Sequence, residues 1–162
     1  MIFRGALAGA IAGLIGAYVM ERFQGLWKTT KGAIKPRETA GAAKDEPTTV
    51  KAAERVAEDV LHRELPKEAR PAAGEVVHYG MGAVSGAIYG ALAEVLPPVR
   101  IGNGLAFGAV LWWMADNEII PAAGLAQRPS AYPASIHAYA LASHLVYGAV
   151  TDGARRFLRL AL

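Results

Sequence analysis

The chain has 162 residues, 53% of them hydrophobic and 19% charged, with a formal net charge of +3; this length suits one domain, and the apolar content is high for a water-soluble one. It has no cysteine, which excludes disulfides, thiolate metal sites and a cysteine nucleophile. The basic residues of the polar region alternate with acids and form no stripe, so the positive balance points to a membrane surface and away from nucleic acid.

Twenty of the 31 charged side chains lie between Arg22 and Glu75, the layout of membrane spans around one polar loop. The first apolar run, GALAGAIAGLIGAYVM, lies between Arg4 and the Glu21-Arg22 pair. It covers about 24 Å as a helix. No small-x-small cleavage site follows it, so it reads as an uncleaved span over residues 5–22 and not as a signal-peptide core. The polar loop, residues 23–74, begins with Trp27, Lys28, Lys31, Lys35 and Arg37, which suit an interfacial strip. Further on, Thr48 or Thr49 offers an N-cap and Val50, Ala53, Ala57, Val60 and Leu61 follow at helical spacing, predicting an amphipathic helix over residues 49–64.

The second span, residues 75–96, is closed by Pro97-Pro98, and the third, residues 102–120, by Pro121, because proline cannot continue the helical ladder. The connection PPVRIGNG is short enough to make these two an antiparallel hairpin. A fourth span covers residues 134–152. The predicted fold is therefore all-α: a four-transmembrane-helix bundle forming a single membrane domain over residues 1–162, with an amphipathic helix in the long loop. Counting Lys and Arg near the span ends places that loop in the cytoplasm.

Glycine recurs every four residues in three of the spans: Gly5, Gly9 and Gly13; Gly82, Gly86 and Gly90; Gly104 and Gly108. In lipid such small-residue faces let helices approach closely. They predict close packing within one bundle, with a dimer seam as the other use.

Ionisable residues inside spans are candidate functional sites. His78, Glu118 and His137 fall at one depth near the loop side, with His144 two turns deeper. At about 100° per residue, His78 shares a face with Gly82, Ser85 and Tyr89, and Glu118 shares one with Gly104, Gly108, Leu111 and Ala115, while Asp116 points elsewhere, beside Trp112. Three uses of that layer stay open. They are interhelical hydrogen bonds that fix register, a proton or ion path, and a haem or divalent metal site; no compact ligand motif supports the last, so no cofactor is expected. Glu94 and Asp152 are expected at the interface with Arg100 or Arg155 as partners, and His62 solvated in the loop helix. Trp27, Trp112, Trp113 and Tyr132 read as belt residues. The glycines of GNGLAFG follow Pro-Pro and no strand, and no nucleophile elbow, Ser-His-Asp spacing or phosphate loop is present, so no enzyme is predicted.

HYGMGAVSGAIYGALAEVLP, GLAFGAVLWWMADNEIIPAAGLAQRP and HAYALASHLVYGAVTDGARR together resemble the YagU-type family of small bacterial inner-membrane proteins, over about Val76 to Arg156. The resemblance implies a multi-pass protein of the bacterial plasma membrane and no catalytic residues. It also implies an adjacent Asp-Glu pair near the end of the third span; here Asp116 and Asn117 occupy those places and Glu118 follows, which turns the acid by about 100°. The expected role is a structural or accessory subunit, associating with itself or with other membrane subunits in the lipid bilayer.

Overall fold

The computed structural model describes residues 1–30 and 46–161, and among these there is no strand. Helix α1 runs over Ile2–Thr30 and α2 over Thr48–Asp59. A 3-10 turn, Lys67–Ala69, leads into α3, Arg70–Val95. After a second 3-10 turn at Pro97–Arg100, α4 spans Leu105–Trp112, continues as a π-helix over Trp113–Ile119 and ends in the short α5, Ile120–Ala122. A third such turn, Pro129–Ala131, precedes α6, Ala134–Ala161. Two helices, Ile2–Thr29 and Lys67–Val95, are long and apolar enough to cross a membrane. Lys31, Lys35 and Arg37 of the expected interfacial strip lie outside the described residues.

The amphipathic helix is shorter than its pattern suggests. Neither Thr48 nor Thr49 caps it; the N–H groups of Val50 and Lys51 bond to the Pro47 carbonyl at 2.8 and 3.1 Å, without a side-chain cap. At its other end Val60 and Leu61 are exposed. His62 turns left-handed there (φ 52°), and the Arg63 N–H reaches back to Ala57 O at 3.0 Å. That closes the helix as glycine usually does, with a histidine in the strained position. Val50, Ala53 and Ala57 are buried where α2 lies on the start of α3; Gly74 leaves room for Val50, since a methyl there would sit 2.7 Å from Val50 Cγ2. Arg70 holds Glu46 and Glu54 at 2.9 Å each, and Arg55 donates to Ala123 O at 2.8 Å, tying α2 to the end of α5.

Glycine and alanine build the interior. α1 and α3 cross antiparallel, with Gly5, Gly9 and Gly13 against Gly90, Gly86 and Gly82. A methyl on Gly9 would land on the Gly86 carbonyl oxygen, and one on Gly86 would land on the Gly9 carbonyl and lie 2.7 Å from Gly13 Cα. These backbones touch as only glycine allows. α1 also packs along α6, with Gly16 against Tyr147 and Thr151 and the Trp27 ring 5.8 Å from that of Tyr139. α6 and α3 meet through side chains, chiefly Tyr147, whose hydroxyl donates to Gly82 O at 2.7 Å and lies 2.8 Å from Ser85 Oγ.

The expected hairpin of spans two and three is not the pairing formed. α4 packs on α6, with Gly104 and Gly108 against the backbone of Gly148 and His144; toward α3 it sends the Phe107 ring, stacked 4.4 Å from Tyr89. The connecting turn makes this possible. Gly102, Asn103 and Gly104 are all left-handed (φ 70°, 53° and 86°) and carry the chain past α3 onto α6, where Gly104 supplies the absent side chain that its contact requires. Large apolar residues point outward: Leu7, Ile11, Leu14 and Tyr18 on α1, and Met81, Val84, Ile88 and Val95 on α3.

Candidate functional site

The polar residues near the loop side divide between two seams. His78 belongs to the α1–α3 seam, its Nε2 3.3 Å from Ala17 O and its ring edge-on to Tyr79; Tyr79 in turn donates to Glu21 at 2.6 Å. His137 and His144 belong to α6. His137 Nε2 lies 3.0 Å from Pro129 O, and its ring stands edge-on to Trp112 and Tyr132. His144 Nδ1 lies 2.9 Å from Ala140 O. A carbonyl only accepts, so each ring must donate from the named nitrogen, which sets the tautomer of the neutral form.

Glu118 does not join them: it is exposed, and Asp116 faces α6 with Oδ2 3.9 Å from His144 Nδ1. The reversal has a geometric cause. A π-helical turn holds more residues than an α-turn, so each residue from Trp113 to Ile119 rotates less than the about 100° of an α-helix. The lag brings Asp116 toward the inner face and leaves Glu118 short of it. The layer of His78, Glu118 and His137 is thus not assembled; a pair, Asp116 and His144, stands near His137. Among the described residues no group of three or more metal-ligating side chains is placed to hold an ion.

The opposite end of the bundle, where α3 ends and α6 emerges, holds a denser cluster. Asp152 is fully buried and Arg155 only 3% exposed, and of the two expected partners it is Arg155 that meets both acids, 3.3 Å from Glu94 and 3.9 Å from Asp152. Tyr89 donates to Asp152 Oδ1 at 2.7 Å, and Arg156 Nη2 lies 2.6 Å from Asp152 Oδ2. Glu94 receives both Nε and Nη2 of Arg159, at 2.8 and 3.0 Å, and Nη1 of Arg155 at 3.3 Å. Arg155 lies over the Tyr89 ring, 5.9 Å from its centroid, and Arg156 also donates to Asn103 Oδ1 at 3.0 Å. Arg100 takes no part in these contacts.

Part of this cluster has a sequence signal. Asp152, Arg155, Arg156 and Arg159 follow at i, i+3, i+4 and i+7, one helix face with an acid ahead of its bases. The pairing of Glu94 with Arg155 is among the expected ones, whereas nothing local marks Tyr89 on another helix as the group that completes the cluster. Chemically the cluster is a buried lock between α3 and α6, with three guanidinium groups on two carboxylates.

A family model described as "Protein of unknown function (DUF1440)" matches residues 30–153. No curated protein and no solved structure matches the chain.

Proposed function

We propose, for this chain, which belongs to the DUF1440 family of proteins of unknown function, a role as a multi-pass structural or accessory subunit of a membrane. The observation that carries the reading is the inverted distribution of side chains: glycine and alanine inside, Leu7, Ile11, Leu14, Met81, Val84 and Ile88 outside. Such a surface needs apolar surroundings, either lipid or other spans. α1, α3, the α4–α5 segment and α6 would be the four crossings, with α2 at the interface beside the ends of α3 and α5. The YagU-type likeness of residues 76–156 supports the bacterial inner membrane as the site.

The glycine faces interlock within one chain, so association with other subunits falls to the outward faces. On α3, Val77, Gly80, Met81, Val84, Ser85 and Ile88 line an open, apolar groove of about 410 Å³. Because the chain lacks cysteine, Val84→Cys gives a clean probe. In membranes it is expected to cross-link to another copy or to a co-purifying span. A chain that purifies alone as a monomer in mild detergent, with no Val84→Cys adduct, removes the reading.

A second reading, proton or ion conduction, is favoured by one observation, the pair formed by Asp116 of the π-helical stretch and His144 of α6. Ionisable pairs at such depth mark transport paths, and π-helical turns recur at functional sites. Reconstituted vesicles should then show a pH-dependent flux that Asp116→Asn lowers at least tenfold and Glu118→Gln leaves nearly intact. A flux indifferent to Asp116→Asn disposes of it.

A further inference from the structure

One end of the bundle carries a clear excess of positive charge. Arg4, Arg100, Arg155, Arg156 and Arg159 lie at the end where α3 stops and α6 emerges, with Glu94 and Asp152 as the acids beside them among the described residues. Five bases against two acids give this end a formal +3.

The two carboxylates cannot absorb that excess. A guanidinium has five N–H donors and a carboxylate about four acceptor sites, so three guanidiniums on Glu94 and Asp152 leave several donors for another acceptor. Arg156 is where they reach outward: its side chain is 50% exposed although its Nη2 lies 2.6 Å from Asp152 Oδ2 and donates to Asn103 Oδ1. Arg100, exposed, precedes Asn103 by one turn, with the Asn103 N–H on its carbonyl at 3.1 Å. With its Oδ1 accepting from Arg156, Asn103 keeps its amide N–H2 as a further donor. Beside them stand large apolar side chains with nothing over them: Phe157 is 74% exposed and Leu160 88%.

We infer that this rim, Arg100, Asn103 and Arg156 with Phe157 and Leu160 beside them, is a binding surface for the headgroups of anionic phospholipids. The inference rests on the membrane reading above. Phosphodiester oxygens would accept from the outward guanidinium and amide groups, while Phe157 and Leu160 enter the acyl boundary. Charge complementarity selects this occupant: the end is positive, and basic residues near a bilayer favour anionic lipid.

The test uses the full chain reconstituted in nanodiscs of equal phosphatidylcholine and phosphatidylglycerol, with retained lipids counted by native mass spectrometry. The expected result is preferential retention of phosphatidylglycerol, lowered about fivefold by Arg100→Gln and again by Arg156→Gln, and unchanged by Arg63→Gln on the loop side. Arg156→Lys should keep the preference, and Arg100→Gln lies outside the ion-pair cluster, so a folding defect at Arg156 does not decide the outcome. Equal retention of the two lipids, or a preference that survives the Arg100→Gln/Arg156→Gln double variant, overturns the inference. Alkaline carbonate extraction of native membranes separates the two ideas. Release of the protein by carbonate defeats the membrane reading itself, whereas a protein that stays with the membrane but shows no lipid preference defeats only the headgroup surface.

Discussion

Gly86→Leu is expected to lose about 3 kcal/mol or more of bundle stability, the upper part of the range for overpacking a tight contact. The first added carbon already falls on the Gly9 carbonyl oxygen and within 2.7 Å of Gly13 Cα. Both are backbone atoms of a helix, with no rotamer to yield. α1 and α3 would have to separate along their whole crossing, because Gly5, Gly9 and Gly13 meet Gly82, Gly86 and Gly90 in one continuous seam. Separation would also pull Tyr147 from the Gly82 carbonyl and His78 from the Ala17 carbonyl. Gly80→Ala is the control: nothing lies within 4 Å of an added methyl, so the about 1 kcal/mol by which alanine exceeds glycine in helix propensity should appear as a gain. Denaturant titrations in micelles, followed by circular dichroism, measure both. Equal stability of Gly86→Leu and wild type would mean that the seam does not hold the bundle.

These positions also mark how far the sequence can be read. Glycines four apart announce a face on each helix, because the spacing is a property of one helix. They say nothing of which face meets which, since that depends on the turns between. The left-handed run Gly102, Asn103 and Gly104 sends α4 to α6, and a short connection alone argued for α3. The error over Glu118 is of another kind. A phase of about 100° per residue holds only while the helix stays α, and from Trp113 to Ile119 it does not; a single altered stretch exchanged the roles of two acids two residues apart. In the loop, Val50, Ala53 and Ala57 were legible as a buried stripe, whereas the end of α2 was set by His62 turning left-handed, a choice no periodicity encodes. The cluster around Asp152 was hidden for a third reason. Glu94, Asp152 and the arginines read as an ordinary interfacial charge group until Tyr89 arrives from α3 through tertiary packing.

That cluster yields the second large effect. Asp152→Ala should destabilise the protein by about 3 to 5 kcal/mol, the range for removing one partner of a buried pair. The loss comes less from the missing bonds than from what stays behind. Arg155, 3% exposed, keeps its charge with only Glu94 to oppose it, and the Tyr89 hydroxyl loses its acceptor in a fully buried position. Arg156 contributes less, because at half exposure water can take over much of the role of Asp152. The partners can therefore be ranked by double-mutant cycles. Coupling of Asp152 to Tyr89, measured with Tyr89→Phe, should reach about 1.5 to 3 kcal/mol, as for hydrogen bonds to a buried charge. Coupling to Arg156, measured with Arg156→Gln, should stay at about 1 kcal/mol or below despite the shorter distance. The reverse order would mean that the Arg156 pair carries the lock and that the buried tyrosine merely fills space. Salt adds an independent check: screening reaches an exposed pair but hardly a buried one, so 1 M salt should weaken the Arg156 coupling and leave that of Tyr89 almost unchanged.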